Sequence, residues 1–348
     1  RHNRLSRFTV SAGDPNTADP ASEVVLLELP FNNSTLGSSG SHNGGAVVFG
    51  GDGMLYATTG DGWNASAGYG AGDNVQSLGT YAGKVFRISK DGTIPTDNPF
   101  DNSASGNFRA IYALGFRNPY AATVHPVSGE VFVFDVGTAH GGGKDYIYRI
   151  SAGSNYQHDG SSSGIGTNDT PWANTGTSIV SGGAWYFSDQ FPPEFRERLF
   201  VTSWRRGLKT VRSLNNTTVE DFGSAEVNDQ GPVYPCVGPD GSLYFLDSTY
   251  ETSNGRVFRV SYTALNRAIA PAFSPNGGSF VDQVAVSMTS PTPGATIHYT
   301  TDGSEPDEGS PVFSPPSLNL SSSLTLKART YAIGFDPSTT STSVFEIE

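Results

Sequence analysis

One turn-and-strand unit recurs along most of this chain and restricts the fold more than any other feature. It reads Gly51-Asp52-Gly53-Met54-Leu55-Tyr56, then Ser128-Gly129-Glu130-Val131-Phe132, then Pro239-Asp240-Gly241-Ser242-Leu243-Tyr244, with a weaker copy at Arg196-Glu197-Arg198-Leu199-Phe200. Each copy is followed by a run of the form aromatic-Arg-apolar or close to it: Val85-Phe86-Arg87-Ile88, Ile147-Tyr148-Arg149-Ile150, Thr210-Val211-Arg212 and Val257-Phe258-Arg259-Val260. Irregularly spaced copies of one four-stranded unit indicate a β-propeller more readily than a sandwich, because insertions collect in the loops between strands. The 42 glycines and 22 prolines among 348 residues, with only 16% charged, suit short strands and tight turns and argue against long helices. We count about four units with one strand ahead of them, and a closed ring normally takes more. The expectation is that one or two blades lie upstream of this segment or are supplied by another.

The clearest copy lies within Ser41 to Gly62, SHNGGAVVFGGDGMLYATTGDG. Ala46 to Phe49 and Met54 to Thr58 flank Gly50-Gly51-Asp52-Gly53, a hairpin signal, because glycine supplies the positive φ of the turn. His42 precedes the first run, beside Gly44 and Gly45, which let another group approach the backbone closely. A neutral imidazole there can take a proton from a hydroxyl as hydride leaves the same carbon; the alternative is a loop histidine bonded to backbone. Upstream, Asn3 to Val10 alternates as a strand, either an edge or one whose partner lies outside the sequence. Val24 to Leu29 is another strand.

Three further loops carry candidate ligand groups. Gly115-Phe116-Arg117-Asn118-Pro119 sets a guanidinium beside an amide, and Pro119 holds Asn118 extended, so the two side chains diverge. Arg117 can bind a carboxylate or polarise a carbonyl oxygen, or else tie strands together. Ser203-Trp204-Arg205-Arg206-Gly207 offers two cations to an anionic ligand or to solvent. Ala139-His140-Gly141-Gly142-Gly143-Lys144-Asp145 occupies the same blade position as Gly60-Asp61-Gly62, and backbone carbonyls in such a loop can ligate a hard cation. There is no His-Glu-x-x-His, no zinc spacing and no phosphate loop.

A net charge of −12 without a large Lys/Arg cluster argues against nucleic acid as a partner. It fits a solvated extracellular surface or cation binding. No apolar run approaches a membrane span. The single cysteine, Cys236, excludes an intrachain disulfide and reads as a small buried apolar residue beside Val237 rather than a reactive thiol. The chain starts at Arg1 without Met, which suggests a removed N-terminus. Acceptor sequons stand at Asn32, Asn33, Asn64, Asn168, Asn215, Asn216 and Asn319, several in loop-like stretches, which favours an extracellular glycoprotein.

The pattern changes after Tyr262. Residues 1–263 read as the propeller, 264–270 as a linker, and 271–348 as a small β-sandwich with its own alternation in Val284 to Met288, Thr296 to Thr300 and Leu324 to Arg329.

SHNGG, FGGDGMLYATTGDG, QSLGTYAGKVFRISKDGTIPTDNPF and AIYALGFRNPYAATVHPVSGEVFVFDVG follow one another in this order. Over residues 3–262 the chain resembles the soluble quinoprotein glucose/sorbosone (aldose sugar) dehydrogenases. GATIHYTTDGSEP and LTLKARTYAIG, within 271–348, resemble the chitobiase/hexosaminidase C-terminal β-sandwich. The resemblance implies an all-β protein: a six-bladed-type propeller whose N-terminal blades this chain lacks, then a small immunoglobulin-like sandwich. It implies pyrroloquinoline quinone (PQQ) in a central funnel, calcium on the quinone, and hydride transfer from aldose C1. On this resemblance His42 is the general base, Arg117 polarises the quinone oxygen, and Asn118 and His140 hold the cofactor. Arg205 falls where the family has a cofactor-binding lysine, and Gly141 offers a backbone carbonyl to calcium. Active members carry an Arg-x-Arg-Asp run before Pro-Asp-Gly; this chain has Gly231-Pro232-Val233-Tyr234-Pro235-Cys236. Losing two charge-assisted contacts weakens the grip on cofactor carboxylates by several kcal/mol. Two readings follow: a secreted aldose dehydrogenase, or a catalytically inactive extracellular glycoprotein that uses propeller and sandwich for assembly or for binding a glycan or protein.

Overall fold

Alternation along the repeated strands decides the architecture. In Leu55–Thr59, Lys84–Ile88 and Val131–Asp135 every residue is buried, which a strand reaches only when both of its faces are covered. Leu55, Phe86, Ile88 and Ile111 face one way, onto Leu26, Leu27 and Leu29. Tyr56, Val85 and Ala113 face the other way, onto Val131, Val133 and Tyr148. Phe132, Phe134 and Ile147 then meet Leu199, Val201 and Val211, and Tyr186, Phe200 and Leu208 meet Leu243 and Phe245. Successive residues of a strand thus serve successive interfaces, and each sheet is a propeller blade packed between neighbours.

The computed structural model describes residues 2–30, 42–62, 75–137, 144–158, 164–176, 179–204, 207–222, 231–247, 255–262 and 267–348. They fall into two compact units, 1–262 and 263–348. In the first unit, the first blade runs outward through Val47–Phe49, Leu55–Thr59, Lys84–Ile88 and Ile111–Leu114, with Ser154–Asn155 and Thr167–Asn168 added at its outer edge. The second contains Pro119–Val124, Val131–Asp135, Asp145–Arg149 and Ala173–Gly176. The third contains Ile179–Tyr186, Arg198–Trp204, Gly207–Ser213 and Asn216–Phe222, and the fourth Pro232–Val237, Leu243–Asp247 and Arg256–Val260. The strand expected over Asn3 to Val10 is His2–Arg7, and its partner lies downstream: it pairs antiparallel with Val24–Pro30. The intervening Val10–Ser11 and Asp14–Ala18 form their own small ladder, which is why the pairing was not evident from local spacing.

The sequence repeat is the trace of one clasp. Asp52 Oδ2 accepts from Tyr56 Oη at 3.0 Å and from Arg87 Nε at 2.8 Å. In the fourth blade Asp240 Oδ2 accepts from Tyr244 Oη at 3.0 Å and lies 2.9 Å from Arg259 Nη2. A side chain at Gly50 would place Cβ 2.6 Å from the Tyr56 ring, and one at Gly238 would meet the Tyr244 ring at 2.4 Å, so both turns require glycine there. The second blade has Glu130 with Arg149. In the third, Arg198 and Arg212 share Glu220 from the next strand, which accounts for the weaker copy.

The second unit is a sandwich of Ala272–Ser274, Val284–Thr289 and Leu318–Leu320 against Gly278–Phe280, Ser341–Ile347, Leu324–Tyr331 and Thr296–Thr300. Its core gathers Val286, Met288, Leu326, Ala328 and Phe345. Ala268 and Ile269 already donate to Asp336 O and Thr292 Oγ1 of this unit.

Candidate active site

The inner strands begin where the second strands end, and there the chain turns polar. The second strands of blades two and four end on Asp135 and Asp247, whose carboxylates accept backbone N–H groups at the start of their own inner strands. Asp135 takes Asn118 N at 2.6 Å and Arg117 N at 3.1 Å, and Asp247 takes Gly231 N at 3.3 Å. The first blade has Thr59 at this place and its acid, Asp61, two residues later.

That displacement puts Asp61 against a side chain. Asp61 Oδ1 lies 2.8 Å from His42 Nδ1, with the carboxylate side chain 2% exposed and the imidazole 13% exposed. Backbone contacts fix the pair: Asp61 N donates to Arg117 O at 2.6 Å and Gly62 N to His42 O at 3.2 Å. His42 itself is left-handed at φ 53°, an uncommon conformation for a residue with Cβ. Gly60 permits the crossing, since a Cβ there would sit 2.1 Å from His42 O and 2.9 Å from Arg117 O. Burial pushes the Asp61 carboxyl up, but His158 and His42 outweigh it and hold it down at about 2. Asp61 is thus an ionised acceptor at neutral pH, so Nδ1 of His42 carries the proton of this hydrogen bond.

The second blade contributes Arg117 and Asn118. Their side chains diverge as expected: Asn118 Oδ1 accepts Gly44 N at 3.2 Å, across the junction, while Arg117 Nη1 donates to Val136 O at 2.5 Å. Asp145 accepts Gly137 N and Val180 N at 2.6 and 2.5 Å. Burial pushes its carboxyl up to about 7, against those two hydrogen bonds. The structure therefore brings together His42, Arg117 and Asn118. Arg205, His140 and Gly141 lie outside the described residues, as do Asn32, Asn33 and Asn64. Sequence reasoning missed Asp61, read only as a turn residue, and also Asp135 and His158; their partners come from other loops, and no local spacing announces them.

Beyond these loops each of the last three inner strands carries a bulge at the same level. Tyr120 is the extra residue between the pairs Asp135–Pro119 and Phe134–Ala121, and Ser181 is extra between Val180–Ser203 and Gly182–Thr202. The fourth strand slips at Tyr234–Pro235. Bulges re-aim side chains, and here Tyr120 and Tyr234, from blades two and four, meet with ring centroids 5.5 Å apart. Tyr234 is left-handed at φ 49°, and burial with its Tyr120 hydrogen bond pushes its hydroxyl up to about 12. The same slip turns Cys236 to the exposed face of the strand, so the expected burial of that thiol is not found.

A planar quinone bearing carboxylates would find a proton acceptor and an amide at the junction of blades one and two, a guanidinium turned to Val136 O, and two aromatic rings from blades two and four. These residues fit its reactive end. At the expected carboxylate end the fourth blade presents Tyr234, Pro235 and Cys236 in place of cations. Among the described residues no group of three His, Cys, Asp or Glu side chains is arranged for a metal ion. No helix among them is long and apolar enough to cross a membrane.

Each unit has known counterparts. The aldose sugar dehydrogenase YliI of Escherichia coli K12 is 29% identical over 269 residues, covering 72% of this chain and 68% of that protein. Quinoprotein glucose dehydrogenase B of Acinetobacter calcoaceticus is 35% identical over 158 residues, 38% of this chain and 32% of its own length. The crystal structure of the soluble E. coli aldose sugar dehydrogenase in its apo-form superposes with a TM-score of 0.59 at 25% identity, over 74% of this chain and 72% of that one. A glucose dehydrogenase crystal structure at 20% identity and TM-score 0.60, covering 75% and 74%, shows the same fold. Residues 275–345 match the Chitobiase/beta-hexosaminidase C-terminal domain. Residues 7–259 match the Glucose / Sorbosone dehydrogenase model, and the chain belongs to that family.

Proposed function

We propose that this chain is part of a secreted quinoprotein-type dehydrogenase that oxidises aldoses at C1. The observation that carries the reading is the His42–Asp61 pair at the mouth of the inner strands. Asp61 fixes the imidazole with its Nε2 lone pair turned away from the carboxylate, as a base for the C1 hydroxyl requires. As that proton moves to Nε2, the ionised Asp61 stabilises the imidazolium that forms. Arg117, whose carbonyl accepts Asp61 N, supplies a guanidinium, and Asn118, locked to Gly44, supplies an amide for positioning. When bound, PQQ would accept the hydride; Arg117, Asn118 and the faces of Tyr120 and Tyr234 are the described groups to hold it. His140, Arg205 and, for calcium, the Gly141 carbonyl belong to the same proposal.

Secretion is supported by exposure of every described sequon asparagine: Asn168, Asn215, Asn216 and Asn319. Loss of a mass increment on glycosidase treatment would test it. A second reading is favoured by one observation, the aromatic and thiol side chains of Tyr234 and Cys236 where cations would grip carboxylates. On it the propeller is a non-catalytic extracellular binding or assembly module for a glycan, a protein or further copies. Reconstitution with calcium and PQQ, followed by aldose-dependent dye reduction, separates the two. The enzyme reading expects turnover that disappears in His42→Ala; absence of any quinone binding by the native protein eliminates it.

A further inference from the structure

A second histidine lies on the far side of Asp61. His158 is carried by the segment after Ser154–Asn155, the short strand added to the first blade. Its backbone N donates to Gly115 O at 2.9 Å, and Gln157 before it is left-handed at φ 50°. This turn drives the imidazole inward until its side chain is 1% exposed, with Nε2 at 3.6 Å from Asp61 Oδ2. Among the described residues neither ring nitrogen has a hydrogen-bond partner within normal distance. A buried imidazole without partners is costly, and the atom its Nε2 faces is Asp61 Oδ2, while Oδ1 is the oxygen bonded to His42.

We propose that His158 is a positioning residue of the site: its Nε2–H holds Asp61 Oδ2, leaving Oδ1 to orient His42. The inference rests on reading His42 as the base, and adds to it the group that sets how strongly Asp61 binds that base. A carboxylate can accept at both oxygens. With one oxygen engaged by His158, Asp61 cannot rotate away from His42, and its charge is divided between two rings. The other buried charged groups of these two blades have partners of their own. Asp135, at the end of its strand, is close enough for the charge state of His158 to bear on it, and its carboxylate is held by Arg117 N and Asn118 N. Arg117 Nη1 is turned to Val136 O. The buried Lys84 Nζ donates to Val75 O at 3.0 Å and to Ala82 O. Asp145 is held by Gly137 N and Val180 N.

Removing His158 takes one ring away from the Asp61 charge, so the His42 imidazolium is favoured and the base is unprotonated only at higher pH. In His158→Leu the acid limb of the sugar-oxidation profile should move up by about one pH unit, and kcat should fall roughly tenfold with KM little changed. His158→Gln, whose amide can donate to Oδ2, should restore most of both. The decisive measurement needs neither cofactor nor sugar: ring proton–nitrogen spectra of the histidine-labelled apoprotein. We expect a proton on His158 Nε2, and a His42 Nδ1–H resonance that moves in His158→Leu and returns in His158→Gln. A lone pair on His158 Nε2 in the native protein overturns the proposal, as does a His42 resonance unmoved in either folded variant. These spectra are read without turnover, so failure to reconstitute activity would count against the dehydrogenase reading alone.

Discussion

The outer turns and the inner ends of the blades use the same residue types under opposite conditions. Outside, Asp52 clasps Arg87 with 35% of the acid side chain exposed; inside, Asp61 holds His42 at 2%. The outer clasp recurs in the fourth blade with the same Asp-to-Tyr spacing and the same glycine before it. The inner acid departs from the repeat: Asp135 and Asp247 end their strands and hold groups of their own blades, backbone N–H groups and, for Asp247, Arg256, whereas blade one shifts its acid by two residues and bonds His42 ahead of its inner strand. A residue that obeys the repeat builds the blade, and one that leaves it builds the site.

The largest expected effect tests the inner half of this comparison. Asp61→Asn removes the charge that stabilises the imidazolium and lets an amide N–H face His42 Nδ1 and select the other tautomer, and turnover should fall about 10²–10⁴-fold, measured as reconstituted dye reduction. A change under tenfold would place Asp61 among the structural acids. Next, Gly60→Ala forces a Cβ against two backbone carbonyls and should lower stability by about 1–3 kcal/mol in denaturant melts. Gly53→Ala, at φ 74° with open space around it, should lose only about 1 kcal/mol.

The pH dependence sharpens the contrast. Because the folded-state value of Asp61 is depressed to about 2, its stabilisation is present above the unfolded carboxylate range near pH 4 and is lost as pH falls towards 2. The stability gap between the native protein and Asp61→Asn should therefore narrow by about 2 kcal/mol across that range, read from urea midpoints. The smallest effect belongs outside: in Arg259→Ala, which breaks the exposed pair with Asp240, the change in melting midpoint should be slight and should shrink further in high salt, since exposed ion pairs are screened.

The same contrast explains what the sequence disclosed. The propeller was legible because the clasp repeats Gly, Asp and Tyr at fixed offsets in blades one and four, with an Arg on the following strand, and because two-sided burial makes the strands largely apolar. His42, Arg117 and Asn118 were legible through motif resemblance. Asp61 was visible only as a turn, because its role depends on a crossing with Arg117 O that no local pattern encodes. His158 gave no signal at all: it reaches Asp61 through a left-handed Gln157, a conformation that sequence does not suggest for glutamine. Cys236 was misplaced for a related reason, since the Tyr234–Pro235 slip reverses which residues of that strand face outward.

That exposed thiol gives the protein an unusual chemical handle. It is the only cysteine in 348 residues, it is accessible, and it shares a strand face with Tyr234 two positions away. A maleimide dye or spin label would attach at one known point, with no background from other sites. A reporter there would register a molecule entering between Tyr120 and Tyr234, whether or not that molecule is ever turned over.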